Sequence, residues 1–290
     1  RPSSPDTGES RMNTTSGTLE FYDGSGWTST NLTPNITSIT GDINNAYTTN
    51  LVFAITNNTN SVDIVFSEGG STFHTITGQA VSSGAFTLAT PSQVYGQTAG
   101  DTISISIKNS DGTPSSNTIT KTVLAAPTGG TITISGGYRY HAFTSTNNFV
   151  IASGWPATTV EYVSIAGGAG GSGDLAGGGG AGGHVTSSFS ATTNTYTATV
   201  GAGGAGGPAG RGANTSGVNG NNSGINGIGT AAVGGGTSGH YNDGTATHGG
   251  GHAGGSGGGA GGSNAARAGG LGTAGQGNNG GSSTTNPNYA

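Results

Sequence analysis

His240, His248 and His252, with Asp243 among them, are the densest group of ligand-capable side chains in the chain. Neutral imidazoles and a carboxylate are ligands that Zn²⁺ or a similar ion accepts. Such an ion needs its ligands on one face, and the step from His248 to His252 guarantees that only on a helix. No helical periodicity surrounds them, so the spacing favours exposed or loop-packed polar side chains over a metal site. A third reading takes His240-Tyr241-Asn242-Asp243 as a recognition loop with His248 and His252 nearby, since Tyr offers a rigid ring beside adaptable Asn and His hydrogen bonds. Two glycine motifs carry the letters of known signatures without their context. Gly201-Ala-Gly-Gly-Ala-Gly206 follows a strand-like run, but no helix comes after it and no acidic residue stands about 20 positions on, as a dinucleotide site needs. Gly254-Gly-Ser256-Gly-Gly258 reads as a nucleophile elbow with no strand–turn–helix around it. The acidic residues are too sparse and scattered for a glycosidase carboxylate pair. The expectation is a protein with no catalytic residue, no cofactor and no metal: not an enzyme.

Composition points the same way. Of 290 residues 62 are Gly and only 7% are charged, against averages of roughly 7% Gly and about 25% charged, so part of the chain must be held by backbone. Low charge with 30% apolar content is also unlike a disordered chain, which stays solvated through charge. Seven Lys plus Arg against twelve Asp plus Glu, with no basic run, argue against nucleic-acid binding. No apolar stretch approaches the ~20 residues of a membrane helix, so no membrane insertion is expected. Arg1 opens a polar stretch with no signal-peptide pattern, which reads as a fragment or as a protein released by lysis. With no Cys, disulfides and thiolate chemistry are excluded together.

Three regions must position whatever function exists. Residues 1–34 hold a connector with a hairpin signal, Asp23-Gly24, between Leu19-Glu-Phe21 and Trp27. Trp27 and, further on, Trp155 read as packing anchors. Residues 35–125 carry repeated short strands: 51–55, 62–66, 73–76, 85–88, 102–108 and 118–123. Ile103, Ile105 and Ile107 alternate with polar residues, which sets one face in a core. About seven strands at this spacing predict an immunoglobulin-like sandwich without its Cys pair. Residues 126–290 form a glycine-rich region. A β lead-in over 126–166 (131–135, 138–143, 149–151, 160–165) precedes Gly tracts and loops over 167–290, with one strand-like island at 196–200.

Such tracts also have the composition of a flexible tail. Charged residues are nearly missing from them, and the tracts alternate with turn-like Asn/Ser/Thr segments such as Asn219-Gly-Asn-Asn-Ser223, as elements alternate with loops. A polyproline II rod has three residues per turn and no internal hydrogen bonds, so glycine rods can pack side by side with amides meeting carbonyls. The predicted fold class is therefore all-β, ending in packed polyproline-II-type (polyglycine II) helices.

The run Phe149-Val-Ile…Trp155-Pro…Val160-Glu-Tyr-Val-Ser-Ile-Ala-Gly-Gly-Ala-Gly-Gly171, followed by Tyr196-Thr-Ala-Thr-Val-Gly-Ala-Gly-Gly-Ala-Gly-Gly207, resembles the glycine-rich terminal domains of bacteriophage tail fibres. The opening segment, Asn13-Thr-Thr-Ser-Gly-Thr-Leu-Glu-Phe-Tyr-Asp-Gly-Ser-Gly-Trp27 above all, is similar to one found in structural proteins of aquatic phages, cyanophages especially. The resemblance implies a fibre or adhesin at the virion surface, outside the cell, that binds host-surface glycan or an outer-membrane protein. Further implied partners are other virion proteins and its own copies, as a homotrimer or other homo-oligomer. In such adhesins the loops at the far end of stacked rods touch the host. Here those loops are poor in aromatics, with Tyr241 and Tyr289 alone after Tyr196, which favours a structural role. The competing expectation is a filament or capsid-decoration subunit.

Overall fold

A computed structural model describes residues 5–14, 18–30, 33–46, 48–58, 61–82, 84–173, 175–209, 216–241, 249–262 and 265–285. Among these the protein is all-β, and the chain divides into two compact units, Arg1–Ala126 and Pro127–Ala290.

The first unit opens with a three-stranded antiparallel sheet of β1 (Ser10–Asn13), β2 (Thr18–Tyr22) and β3 (Trp27–Thr30). The β2–β3 connection forms because the Asp23 carboxylate accepts hydrogen bonds from the amides of Ser25 and Gly26, both at 2.8 Å, while Gly24 takes a φ of 97°. A lone hairpin here would be marginal; β1, unexpected from its sequence, adds a third strand. Its Arg11 forms an ion pair with the buried Glu20, whose other oxygen accepts from Asn13 Nδ2 at 2.8 Å. The Arg11 guanidinium carbon sits 4.1 Å from the Trp27 ring centroid, so Trp27 anchors this sheet through a cation–π contact.

The remaining strands are β4 (Asn35–Thr40), β5 (Ile43–Asn44), β6 (Asn50–Thr56), β7 (Ser61–Glu68), β8 (Ser71–Ala80), β9 (Ala85–Ala89), β10 (Thr102–Asn109) and β11 (Ile119–Leu124). They form two sheets, β4-β6-β9 and β5-β11-β10-β7-β8, antiparallel except for the β5–β11 pair. A single helical turn, α1 (Ser92–Tyr95), follows β9. Both sheets feed one core: Phe53 and Leu51 from the first meet Phe66, Ile64 and Ile105 from the second. Ile103, Ile105 and Ile107 are fully buried while Thr102, Ser104 and Ser106 turn outward, as their alternation requires. Strand β4 is less legible because its two apolar residues stand three apart. A register shift between Ile36 and Ser38 changes the phase, so Ile36 and Ile39 both reach the core.

The second unit contains β12 (Thr131–Ser135), β13 (Tyr138–Ala142), β14 (Asn147–Ile151), β15 (Thr158–Ile165), β16 (His184–Ala191), β17 (Asn194–Thr199), β18 (Ser223–Ile225) and β19 (Ile228–Ala232). These pair as β12-β13, β15-β16 and β14-β17-β18-β19. The expectation of a single strand-like island beyond residue 167 needs correcting, because β16, β18 and β19 also form there. In β16 Val185 and Phe189 are four apart among Ser and Thr, so no alternation shows; pairing with β15 along its whole length makes it a strand. A small aromatic core joins these sheets. Phe149, Ile151 and Tyr196 are buried in it, Trp155 packs against it as an anchor, and the Phe189 and Tyr196 rings meet edge-on at 5.1 Å.

His141 on β13 borders this core, 4.9 Å from the Phe149 ring, with Nδ1 2.7 Å from the Gly129 carbonyl. Burial pushes its imidazole below the ordinary value of 6.5; the Gly129 hydrogen bond opposes the shift and the Arg139 charge adds to it. The folded state therefore favours the neutral ring, and the unfolded state binds the extra proton first. Stability from this site is full above 6.5 and falls as pH drops through the lower folded value. Thermal unfolding should show a midpoint that declines as pH drops from 6.5 towards the lower folded value, and His141→Gln, which keeps a donor for Gly129, should flatten the decline. In the sandwich, Ile105→Ala should cost about 2–5 kcal/mol in denaturant unfolding, because a fully buried side chain leaves a cavity between two sheets.

Candidate functional site

The glycine tracts are joined by main-chain hydrogen bonds whose register advances by three residues. In 166–171 the amides of Ala166 and Ala169 donate to the carbonyls of Gly183 and Gly180 at 3.0 and 2.9 Å. Those of Gly167 and Gly170 donate to Asn221 and Val218, both at 3.0 Å. The carbonyls of Gly168 and Gly171 accept from Gly204 and Gly207, both at 2.8 Å. Successive residues thus address three different neighbours in turn. The pattern repeats in 177–183, where Gly177, Gly180 and Gly183 donate to Gly239, Gly236 and Val233.

Bare backbone makes this spacing possible. A Cβ added at Gly220 would lie 1.9 Å from the Gly167 oxygen, and one at Gly182 1.9 Å from that of Ala166. Positions that face outward are free of this limit: a Cβ at Gly178 or Gly281 meets nothing within 4 Å.

The rods have unlike ends. At one end they run into strands: β15 leads to 166, 183 leads to β16, β17 leads to 201, and β19 leads to 233. Gln276 ties this end, its Oε1 accepting from the Val233 amide at 2.8 Å and its carbonyl from the His184 amide at 3.0 Å. At the other end, polar side chains replace glycine. The Ser172 amide donates to Ser238 Oγ at 2.9 Å, and Ser172 Oγ donates to the Ser238 carbonyl at 2.8 Å while accepting from the Gly217 amide at 3.1 Å. Thr237 Oγ1 donates to the Gly170 carbonyl at 2.8 Å. Gly262 donates to Leu175 and Gly261 to Gly249, so the rod ends near 172, 216, 240, 249 and 262 lie together. The rods therefore terminate together, near 172, 207, 216, 240, 249 and 262, at the end opposite the strands.

The expected recognition residues divide across this end. His240 is buried at 2% exposure, its Nδ1 3.2 Å from Ser216 Oγ, so its ring joins two rod ends. Tyr241 follows, half-buried. His252 is exposed but lies back along the body, its amide donating to the Thr237 carbonyl at 2.9 Å. Asn242, Asp243 and His248 lie outside the described residues. Among the described residues no three His, Cys, Asp or Glu side chains gather as a metal site would need. Ser172, Ser216, Thr237 and Ser238, which hold the rod ends together, were not singled out in the sequence. Their only signal is position, each standing at the edge of a glycine tract.

The region resembling a dinucleotide fingerprint, 201–206, begins a rod, and the amides of Gly204 and, just past it, Gly207 are already committed to neighbouring carbonyls. A family model described as a glycine-rich domain matches residues 144–290. The chain belongs to that family. No curated protein and no solved structure matches it. The match begins within the second unit and takes in every rod of this glycine-rich domain.

The clearances make contrasting predictions. Gly220→Ala should destabilise the second unit and speed amide exchange across 166–171 and 217–221, because neither backbone has a side chain to move aside. Gly178→Ala should leave exchange unchanged.

Proposed function

We propose that this protein is a bacteriophage fibre or adhesin protein at the virion surface, in which the strand-rich first unit is a spacer and the glycine-rich domain attaches to the host. The observation that supports this best is the convergence of the rod ends, near 172, 207, 216, 240, 249 and 262, opposite the strands. Rods held by backbone leave no room for side chains, whereas segments outside them are under no such limit, and side chains carried from a fixed platform suit recognition. The segment 242–248 with Tyr241 is the leading contact region, and Asn, Asp, Thr and His there suit hydrogen bonding to a glycan or to an outer-membrane protein loop. His240 acts in this reading as the buried support of that segment.

A filament or capsid-decoration subunit is the second reading. It is favoured by apolar side chains that remain exposed on strands, Ile134 and Val163 among them.

Binding of the full chain to host cells tests the first reading. Replacing 242–248 and 210–215 by Gly/Ser should reduce binding at least tenfold while amide exchange in the rods stays as before. Unchanged binding, or no binding by the parent chain, would overturn it. Competition by free surface glycan separates a carbohydrate receptor from a protein one.

A further inference from the structure

Charged side chains are scarce beyond Pro127. Among the described residues of the second unit they are Arg139, Glu161 and Arg267. The first two lie on strands, carry opposite signs, and each stands beside an exposed apolar pair.

Arg139 is on β13, directly across from Ile134, and His141 lies across from Ile132. Directly opposed residues project from the same face, so Ile132, Ile134, Arg139 and His141 share one side of the β12–β13 hairpin. Ile132 is 38% and Ile134 57% exposed. The other side is no better covered, with Tyr138 and Tyr140 both exposed. Among the described residues neither β12 nor β13 pairs with any further strand. His141 holds one end of the first side against Phe149, but a two-stranded ribbon with apolar residues still exposed on both faces and both edges open is marginal alone and is a template for association.

Glu161, Val163 and Ile165 alternate along β15 and so share one face of the β15–β16 ribbon. Glu161 is exposed, and Val163 and Ile165 are 62% and 65% exposed. Of the twelve large apolar side chains exposed among the described residues, six fall between residues 132 and 165 on these two ribbons, so the bare apolar surface is concentrated. Among the described residues no ion pair within the chain joins Arg139 or Glu161. Arg139 Nε is buried with no hydrogen-bond partner, and no carboxylate among the described residues pairs with the guanidinium, whose outer nitrogens could take one.

We propose that copies of this chain associate head to tail, the Ile132–Ile134 and Arg139 face of one hairpin packing on Glu161, Val163 and Ile165 of the next copy. The occupant is a second copy because the matching face, opposite in charge and equally apolar, is carried bare by the same chain. Two different patches meet, so the contact is heterologous: it closes into a ring if the rotation allows and otherwise runs on as a filament. Burial of the apolar pairs drives it, and the Arg139–Glu161 pair sets its register. The proposal stands whether or not the loop end binds a receptor.

The full chain, measured by native mass spectrometry and light scattering, should have a mass that is a multiple of 27.8 kDa. Arg139→Glu and Glu161→Arg should each abolish the oligomer, and the two combined should restore it, with circular dichroism unchanged throughout. Because the chain has no Cys, cross-linking gives a second reading that survives misfolding of a charge variant. Ile134→Cys and Val163→Cys proteins, mixed and oxidised, should yield a disulfide-linked dimer that neither gives alone. A parent chain that is monomeric would overturn the proposal and leave the hairpin to a different protein. So would an oligomer indifferent to both single charge changes, a folded double variant that stays monomeric, or a mixture that does not cross-link.

Discussion

The glycine-rich domain rests on one constraint: two backbones can exchange amide and carbonyl hydrogen bonds on three sides only where no side chain stands between them. Buried main-chain polar groups left unpaired would each cost about as much as a lost hydrogen bond, so the rods are stable only as a set. This is a different solution from the first unit, where Phe53, Phe66 and the Ile residues of β10 fill the space between sheets. Among the described residues of the second unit apolar filling gathers at the ribbon end, around Phe149, Ile151 and Tyr196.

Such a body is costly to order. Glycine loses more backbone freedom on folding than any other residue, at ~1–2 kcal/mol per residue, while each hydrogen bond returns only about 1 kcal/mol net. The ends of the rods reduce that loss. At one end β15, β16, β17 and β19 deliver rods already aligned by strand pairing. At the other, Ser172, Ser238, Thr237 and the buried His240 fix the exits through side-chain bonds. A chain clamped at both ends has fewer conformations to lose.

The same economy of side chains bears on assembly. A domain whose surface is mostly backbone and small residues has few places to make a specific contact. Charged and large apolar residues therefore carry unusual weight where they occur, and on the ribbons of the second unit they occur together. The first unit contrasts with this, since its Arg11 and Glu20 satisfy each other and the Trp27 ring within one sheet.

What residue types alone determined was the all-β class, the alternating core strands such as β10, the Asp23-Gly24 turn and the tracts where only glycine fits. Each follows from local rules, a period of two, a turn needing positive φ, or the lack of a Cβ. Tertiary structure decided the rest. Strand β4 hides behind a bulge that puts Ile36 and Ile39 on one side, and β16 is a strand through its pairing with β15. Whether His240 faces solvent or the interior depends on Ser216, 24 residues away, reaching it across the ends of two rods. Glycine tracts carry no side chain to mark which neighbour each will meet. Their pairing is therefore set by the elements that clamp their ends, which no local pattern encodes.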